Sequence, residues 1–248
     1  MKHFFTTLSA IALATSMSAC AEAGPKSASN LDRSDIENIV KEYLLENPEI
    51  IREALIELEN RNDAEDMSAA MKVVSSQIYN DPRDVVIGPK DAKVTVVEFF
   101  DYNCGYCKRS TSWVEGIIKD HPNDVRVIFK ELPVLDRGRQ GTSREAAKAA
   151  LAAARQGKYL EVHVALMNER SLSESRIRNI VEKAGLDMDK FDADRKDVAL
   201  EQHIDDTYKL SNRIPALTGT PFFFVNDDYV SGANVPKLET LVSSALKG

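Results

Sequence analysis

Cys104-Gly105-Tyr106-Cys107 places two thiols three positions apart, close enough to close a small disulfide ring and open it again. The pair directly follows the apolar run Val94 to Phe100 and precedes a segment able to form a helix. A helix N-terminus offers unpaired backbone N–H groups and a partial positive charge, which favour a thiolate over a thiol. Cys104, nearer that end, is expected to be the exposed nucleophile; Cys107 lies about one turn further in. Attack by Cys104 on a disulfide gives a mixed disulfide, which Cys107 then resolves. A structural disulfide or half of a zinc site is the bland alternative. Zinc needs about four ligands, and the sequence has no second CxxC and no paired histidines. No metal and no cofactor is expected beyond the two sulfurs.

The 248 residues suffice for one large domain or a domain with additions, and the 43% hydrophobic fraction predicts a folded core. Net charge is −7 and no basic run occurs, so partners are expected to be proteins and not nucleic acid. Lys2, the apolar stretch Phe4 to Ala14 and the small residues after it read as an export signal, too short to span a bilayer. Ala21-Glu22-Ala23 fits cleavage after Ala23, which makes 1–23 a signal peptide. Ser18-Ala19-Cys20 also permits a lipid anchor on Cys20. If Cys20 leaves with the signal, one close cysteine pair remains in an oxidising compartment. That favours an active dithiol over a structural framework.

These sulfurs need a scaffold. Residues 30–84 show helical periodicity: Ile36, Ile39, Val40, Tyr43 and Leu44 form one apolar stripe, and Ile51, Leu55 and Leu58 the next. Asn47 is expected to cap a second helix with Pro48 at its first position. A third stretch carries Met67, Met71, Val74 and Ile78, before Asp81-Pro82 breaks it. Such stripes need a partner surface, which is either the chain's own core or another copy. Val94 to Phe100 and Val125 to Phe129 read as strands around the CxxC helix, and this βαβ unit is a specific context for a thioredoxin-like site. Residues 137–205 read as inserted helices, with Thr142 and Glu145 as a capping box and Ser173 opening a later helix. Phe222 to Val225 and Tyr229-Val230 restore strand character, and a last helix begins near Pro236. The histidines at 121, 163 and 203 are scattered and read as structural or solvent-facing. Trp113 reads as core, and Tyr106 as part of an apolar peptide-binding surface.

Thr220-Pro221 stands just before an apolar strand, where a trans proline is the default. Together with the CxxC it resembles the thioredoxin superfamily, in which a cis-proline loop faces the active disulfide and pairs with bound peptide. Val97 to Lys108, Lys130 to Leu135 and Gly219 to Phe223 resemble the DsbA-like periplasmic oxidoreductases. Tyr43 to Ile50 resembles the leading segment of the suppressor of copper sensitivity protein C family, some of whose members form trimers through this arm. The resemblance implies an α/β thioredoxin fold at 85–136 and 206–248. It adds an inserted helical subdomain at 137–205 and an N-terminal helical oligomerisation arm at 24–84. It implies a buried acid beneath the disulfide, Glu98, paired to a lysine that Lys130 would represent. Thr220 and Pro221 would bind substrate.

The resemblance further implies a periplasmic reductase or isomerase acting on misfolded or disulfide-bonded exported proteins. A membrane thiol:disulfide reductase would recharge it. Gly-Tyr between the cysteines and Thr before the proline match the isomerase DsbC, whereas the oxidase DsbA has Pro-His and Val there. Without that histidine one stabiliser of the thiolate is missing, which makes the disulfide less oxidising. The rivals are a DsbA-type oxidase and a Cu(I)-binding copper-tolerance protein using both thiolates.

Overall fold

In the computed structural model, residues 32–136 and 141–248 are described, so the expected export signal and Cys20 lie outside the described residues. Among these, five strands form one sheet: β1 (Val85–Ile87), β2 (Val94–Phe100), β3 (Val125–Glu131), β4 (Phe222–Val225) and β5 (Asp228–Ser231). Their order is β1-β3-β2-β4-β5. β2 and β3 run parallel, while β1, β4 and β5 pair antiparallel with their neighbours. Every residue of β2 is buried, as its Val/Thr/Phe composition demands of a central strand covered on both faces. β1, a short edge strand, was not legible as a strand from its sequence.

Register assigns side chains to faces. Glu98 lies opposite Phe129 and Phe99 opposite Lys130, so Glu98 and Lys130 point to opposite sides of the sheet. Val94, Val96, Phe100, Val127, Phe129 and Phe223 look toward α3 (Gly105–Asp120), α9 (Val235–Lys247) and most of the inserted helices. Val97, Phe99, Ile128, Phe222 and Phe224 look toward Met67, Val74 and Ile78 of α2 (Glu49–Tyr79), with Leu210 and Ile214. The insertion between β3 and β4 comprises α4 (Thr142–Ala154), α5 (Tyr159–Asn168), α6 (Glu174–Lys183), α7 (Met188–Asp194) and α8 (Val198–Ser211).

Two local expectations are corrected. Thr142 and Glu145 do not form a capping box: Gly141 is the N-cap of α4 and provides no side-chain cap. Asp136 caps the helix from outside, its carboxylate accepting from the Arg144 N–H at 2.8 Å and the Ser143 N–H at 3.4 Å. A Cβ at Gly141 would meet that carboxylate at 2.2 Å, so the cap needs glycine there. Glu145, released from capping, binds Lys148 and Arg195. Asn47, in turn, closes the first helix, α1 (Arg33–Glu46). Its backbone N–H and side-chain amide both donate to the Tyr43 carbonyl, at 2.9 and 2.8 Å. Ser173 caps α6 as expected, accepting from the Arg176 N–H at 3.3 Å.

The two later stretches of the leading segment, read as separate helices, form the single α2. The chain divides into two compact units after Ile56. Met67, Val74 and Ile78 are buried, so the end of the stretch read as an arm belongs to the sheet's own core. In the first unit, Asp32 and Asp35 make a capping box for α1, which has no buried residue. Ile36, Ile39, Val40, Tyr43, Leu45, Ile51, Leu55 and Ile56 are each about half exposed or more.

Candidate active site

β2 ends at Phe100, and a turn delivers Cys104 to the start of α3 as its N-cap, with φ −75° and ψ 117°. The loop before it is pinned. Asp101 is buried; its carboxylate accepts from the Asn103 N–H and the Ser143 hydroxyl, each at 2.7 Å, and from the Leu135 N–H at 2.9 Å. Its carbonyl accepts from the Cys104 N–H at 3.0 Å. Asn103 donates to the Thr142 and Ser143 hydroxyls, each at 2.9 Å. The first turn of the inserted α4 therefore holds the CxxC loop in place. Neither Asp101 nor Ser143 was singled out from the sequence; an Asp at the end of a strand before a CxxC was the available signal.

Both cysteines are free thiols. Cys104 keeps 8% of its surface and Cys107 none, the order expected from their places on the helix. The Cys104 thiol donates to the Thr220 carbonyl at 3.2 Å. A hydrogen bond from Cys107 is the main cause that pulls Cys104 from an ordinary thiol value down to about 5. Burial opposes this, while the Thr220 side chain and the backbone N–H groups of Cys107 and Tyr106 assist. Cys107 moves strongly the other way, through burial first, then the hydrogen bond to Cys104 and the charge of Glu98. The surroundings thus favour the thiolate at Cys104 and the thiol at Cys107.

Glu98 lies beneath them, 1% exposed, and neither carboxylate oxygen has a hydrogen-bond partner. Burial pushes it up to about 8; the Ser110 hydroxyl offsets part of this, and the Cys104 charge adds to it. The Ser110 hydroxyl itself donates to the Cys107 carbonyl at 2.9 Å, which explains why it does not satisfy the carboxylate. Lys130 is not the partner of Glu98. It projects from the other face of the sheet, where its ammonium binds the Asp84 carboxylate and the Gln77 carbonyl. His203 approaches the other Asp84 oxygen at 3.3 Å. The parity of a β-strand separates residues that the resemblance had put together.

On the Glu98 face lies a second buried polar group. Tyr159 and Tyr102 both donate to one Glu131 oxygen, at 2.9 and 3.1 Å, and the Tyr102 hydroxyl meets His163 Nδ1 at 3.0 Å. Burial raises the Glu131 carboxyl well above the carboxylate range. Trp113 packs edge-on to Phe223 in the core, as expected.

Thr220-Pro221 is a cis peptide bond. Thr220, Pro221 and Tyr106 line a groove of about 480 Å³ that also includes Arg109 and residues 231–235. Tyr106 is 59% exposed there. Among the described residues no cluster of three or more His, Cys, Asp or Glu is placed to hold a metal ion.

The profile of the DSBA-like thioredoxin domain matches residues 95–243. The chain belongs to that family. Residues 32–65 match the copper resistance protein ScsC N-terminal domain. Among solved structures, a thioredoxin-like oxidoreductase from Silicibacter pomeroyi is 36% identical, with TM-score 0.63, covering 70% of this chain and 98% of that one. Proteus mirabilis ScsC in a transitional conformation is 29% identical, with TM-score 0.64 and coverage of 86% and 96%. The thiol-disulfide exchange protein alpha-DsbA2 from Wolbachia pipientis is 29% identical, with TM-score 0.66 and coverage of 74% and 97%. A curated relative, the Na(+)/H(+) antiporter NhaA 3 of Salinispora tropica, is 34% identical over 186 residues, covering 72% of this chain and 27% of that one. The chain spans about a quarter of the length of the curated relatives it matches. Among the described residues no helix is long and apolar enough to cross a membrane.

Cys104, lowered to about 5 by its hydrogen-bond donors, falls between the active cysteines of thioredoxin, about 7, and DsbA, about 3.5. Stabilising the thiolate stabilises the reduced form, so the potential is expected between about −270 and −120 mV. Equilibration with glutathione checks this, and a value at either limit would contradict the environment described for Cys104.

Proposed function

We propose that this chain is a thiol:disulfide interchange protein of an oxidising extracytoplasmic compartment, which reduces or isomerises disulfides of exported proteins. The observation that carries this is the arrangement of the pair: Cys104, 8% exposed as the N-cap of α3 and favoured as the thiolate, over a wholly buried Cys107 favoured as the thiol. The Cys104 thiolate attacks a substrate disulfide, forming one S–S bond to substrate and releasing the other substrate sulfur as a thiolate, which takes a proton from water. For isomerisation, a second substrate thiolate attacks the mixed disulfide and returns Cys104 to its thiolate. For reduction, ionised Glu98 takes the Cys107 proton, and Cys107 displaces the substrate sulfur and closes the 104–107 disulfide. A membrane thiol:disulfide reductase is the partner that would restore the dithiol. The reading of 1–23 as an export signal, made from the sequence, supports the compartment.

The DsbA-type oxidase runs the same steps backwards, and the potential separates it from this reading. For the first unit, the half-exposed stripe from Ile36 to Ile56 supports association of copies of this chain into a trimer. Truncation must stop at residue 56, because Met67, Val74 and Ile78 are core residues. The protein lacking 24–56 is expected to be monomeric in light scattering, to retain insulin reduction and to lose repair of scrambled ribonuclease. An intact protein that neither reduces insulin nor repairs scrambled ribonuclease would refute the reading. Repair undiminished by the truncation would refute the part assigned to the arm.

A further inference from the structure

The groove beside Cys104 carries one positive charge, that of Arg109, with no ion-pair partner among the described residues. Arg109 lies one helical turn beyond Tyr106, and its guanidinium folds back over the Tyr106 ring at 4.1 Å from the centroid. Arg83, Arg144, Arg155, Arg176, Arg178 and Arg195 each hold at least one carboxylate. Arg109 holds none among the described residues; Arg52, Arg126, Arg170 and Arg213 share this, but of these five Arg109 is the one that lines the groove, where no Asp or Glu is among the described lining. Lys108, its neighbour, is committed to the Glu169 carbonyl. The remaining lining is largely apolar or uncharged: Tyr106, Pro221 and Val235 among them. A guanidinium lying over a ring keeps its N–H edge available for a carboxylate.

We infer that Arg109 is a specificity residue, selecting extended substrate segments that carry an Asp or Glu beside the disulfide cysteine. This deepens the exchange reading and rests on it. The chain segment would lie over Tyr106 and the Thr220-Pro221 loop, with its cysteine at Cys104 and its acidic side chain at the guanidinium edge. A basic residue at the same place would face an uncompensated like charge, so selection works by repulsion as well as attraction.

The test uses three otherwise identical disulfide peptides with Asp, Asn or Lys two residues from the reactive cysteine. The second-order rate of mixed-disulfide formation is measured for the full protein, Arg109→Gln and Arg109→Glu. For each peptide the variant rate is divided by the unaltered protein's rate, which cancels the effect of the peptide's charge on its own sulfur. Exposed pairs are modest, so at low salt the Asp peptide is expected to lose about fivefold with Arg109→Glu. The Lys peptide is expected to gain about as much, Arg109→Gln to fall between, and the differences to shrink in high salt. Equal ratios for all three peptides would overturn the inference while leaving exchange intact. No reaction of the Asn peptide with the unaltered protein would overturn the exchange reading, and the inference with it.

Discussion

Replacing Cys104 by serine is expected to abolish turnover on disulfides, with a loss of roughly a thousandfold or more. Replacing Cys107 by serine should preserve the first attack and accumulate mixed disulfides. The difference follows from how the pair is held. Cys104 is favoured as an anion at neutral pH because hydrogen bonds from Cys107, from the Thr220 side chain and from the Cys107 and Tyr106 backbone N–H groups outweigh burial; the Thr220 carbonyl accepts from it only while it is a thiol. Serine in its place would have a hydroxyl that these donors cannot ionise. Cys107 is wholly buried and protonated, so it cannot substitute as the attacking group. Intact mass and non-reducing electrophoresis after exposure to a disulfide substrate check both variants. Trapped adducts on Cys104→Ser, carried by Cys107, would reverse the assignment.

Glu98→Gln is expected to slow resolution of the mixed disulfide by about tenfold to a hundredfold and to remove its pH dependence. With the carboxyl near 8, only about a tenth is ionised at pH 7, and the ionised form is the one that accepts the Cys107 proton. The unaltered protein should therefore resolve faster as pH climbs toward 8, whereas the variant's profile stays flat through that range. The same shift has a consequence for stability. Glu98 is held above its unfolded value of 4.5, so the folded chain keeps a proton that the unfolded chain releases. The contribution of Glu98 to stability then falls as pH rises from about 4.5 to about 8, by roughly 3 kcal/mol at pH 7, while Cys104, held below its ordinary value, contributes the opposite slope from about 5 upward. Urea titrations at pH 5 and pH 8 should show stability changing less favourably with rising pH in the unaltered protein than in Glu98→Gln, the difference between the two slopes being the contribution of Glu98. An unchanged slope would mean that Glu98 is ionised in the native state.

The chemistry was more legible in the sequence than its surroundings. Cysteine spacing, the strand before it and the Thr-Pro pair are local signals, and they located Cys104, Cys107, Thr220 and Pro221 at one site. Glu98 was visible because a lone acid interrupts an apolar strand. Lys130 was misplaced because facing depends on register between β2 and β3, which spans some thirty residues and leaves no local mark. Asp136 as the cap of α4 escaped for a similar reason: a donor from outside the helix outcompetes a local capping box. The cluster of Glu131, Tyr102, Tyr159 and His163 draws on β3, the active-site loop and the insertion. Only tertiary contact assembles it. Arg109 was passed over because an exposed arginine on a helix is ordinary until its neighbours show that nothing neutralises it.

Asn103 and Asp101 hang on the hydroxyls at the start of α4, and this makes the domain less modular than its architecture suggests. The inserted helices are not an ornament that can be exchanged between relatives without consequence at the sulfur. A chimera that imports a foreign insertion inherits a working nucleophile only if it also brings a serine where Ser143 now stands.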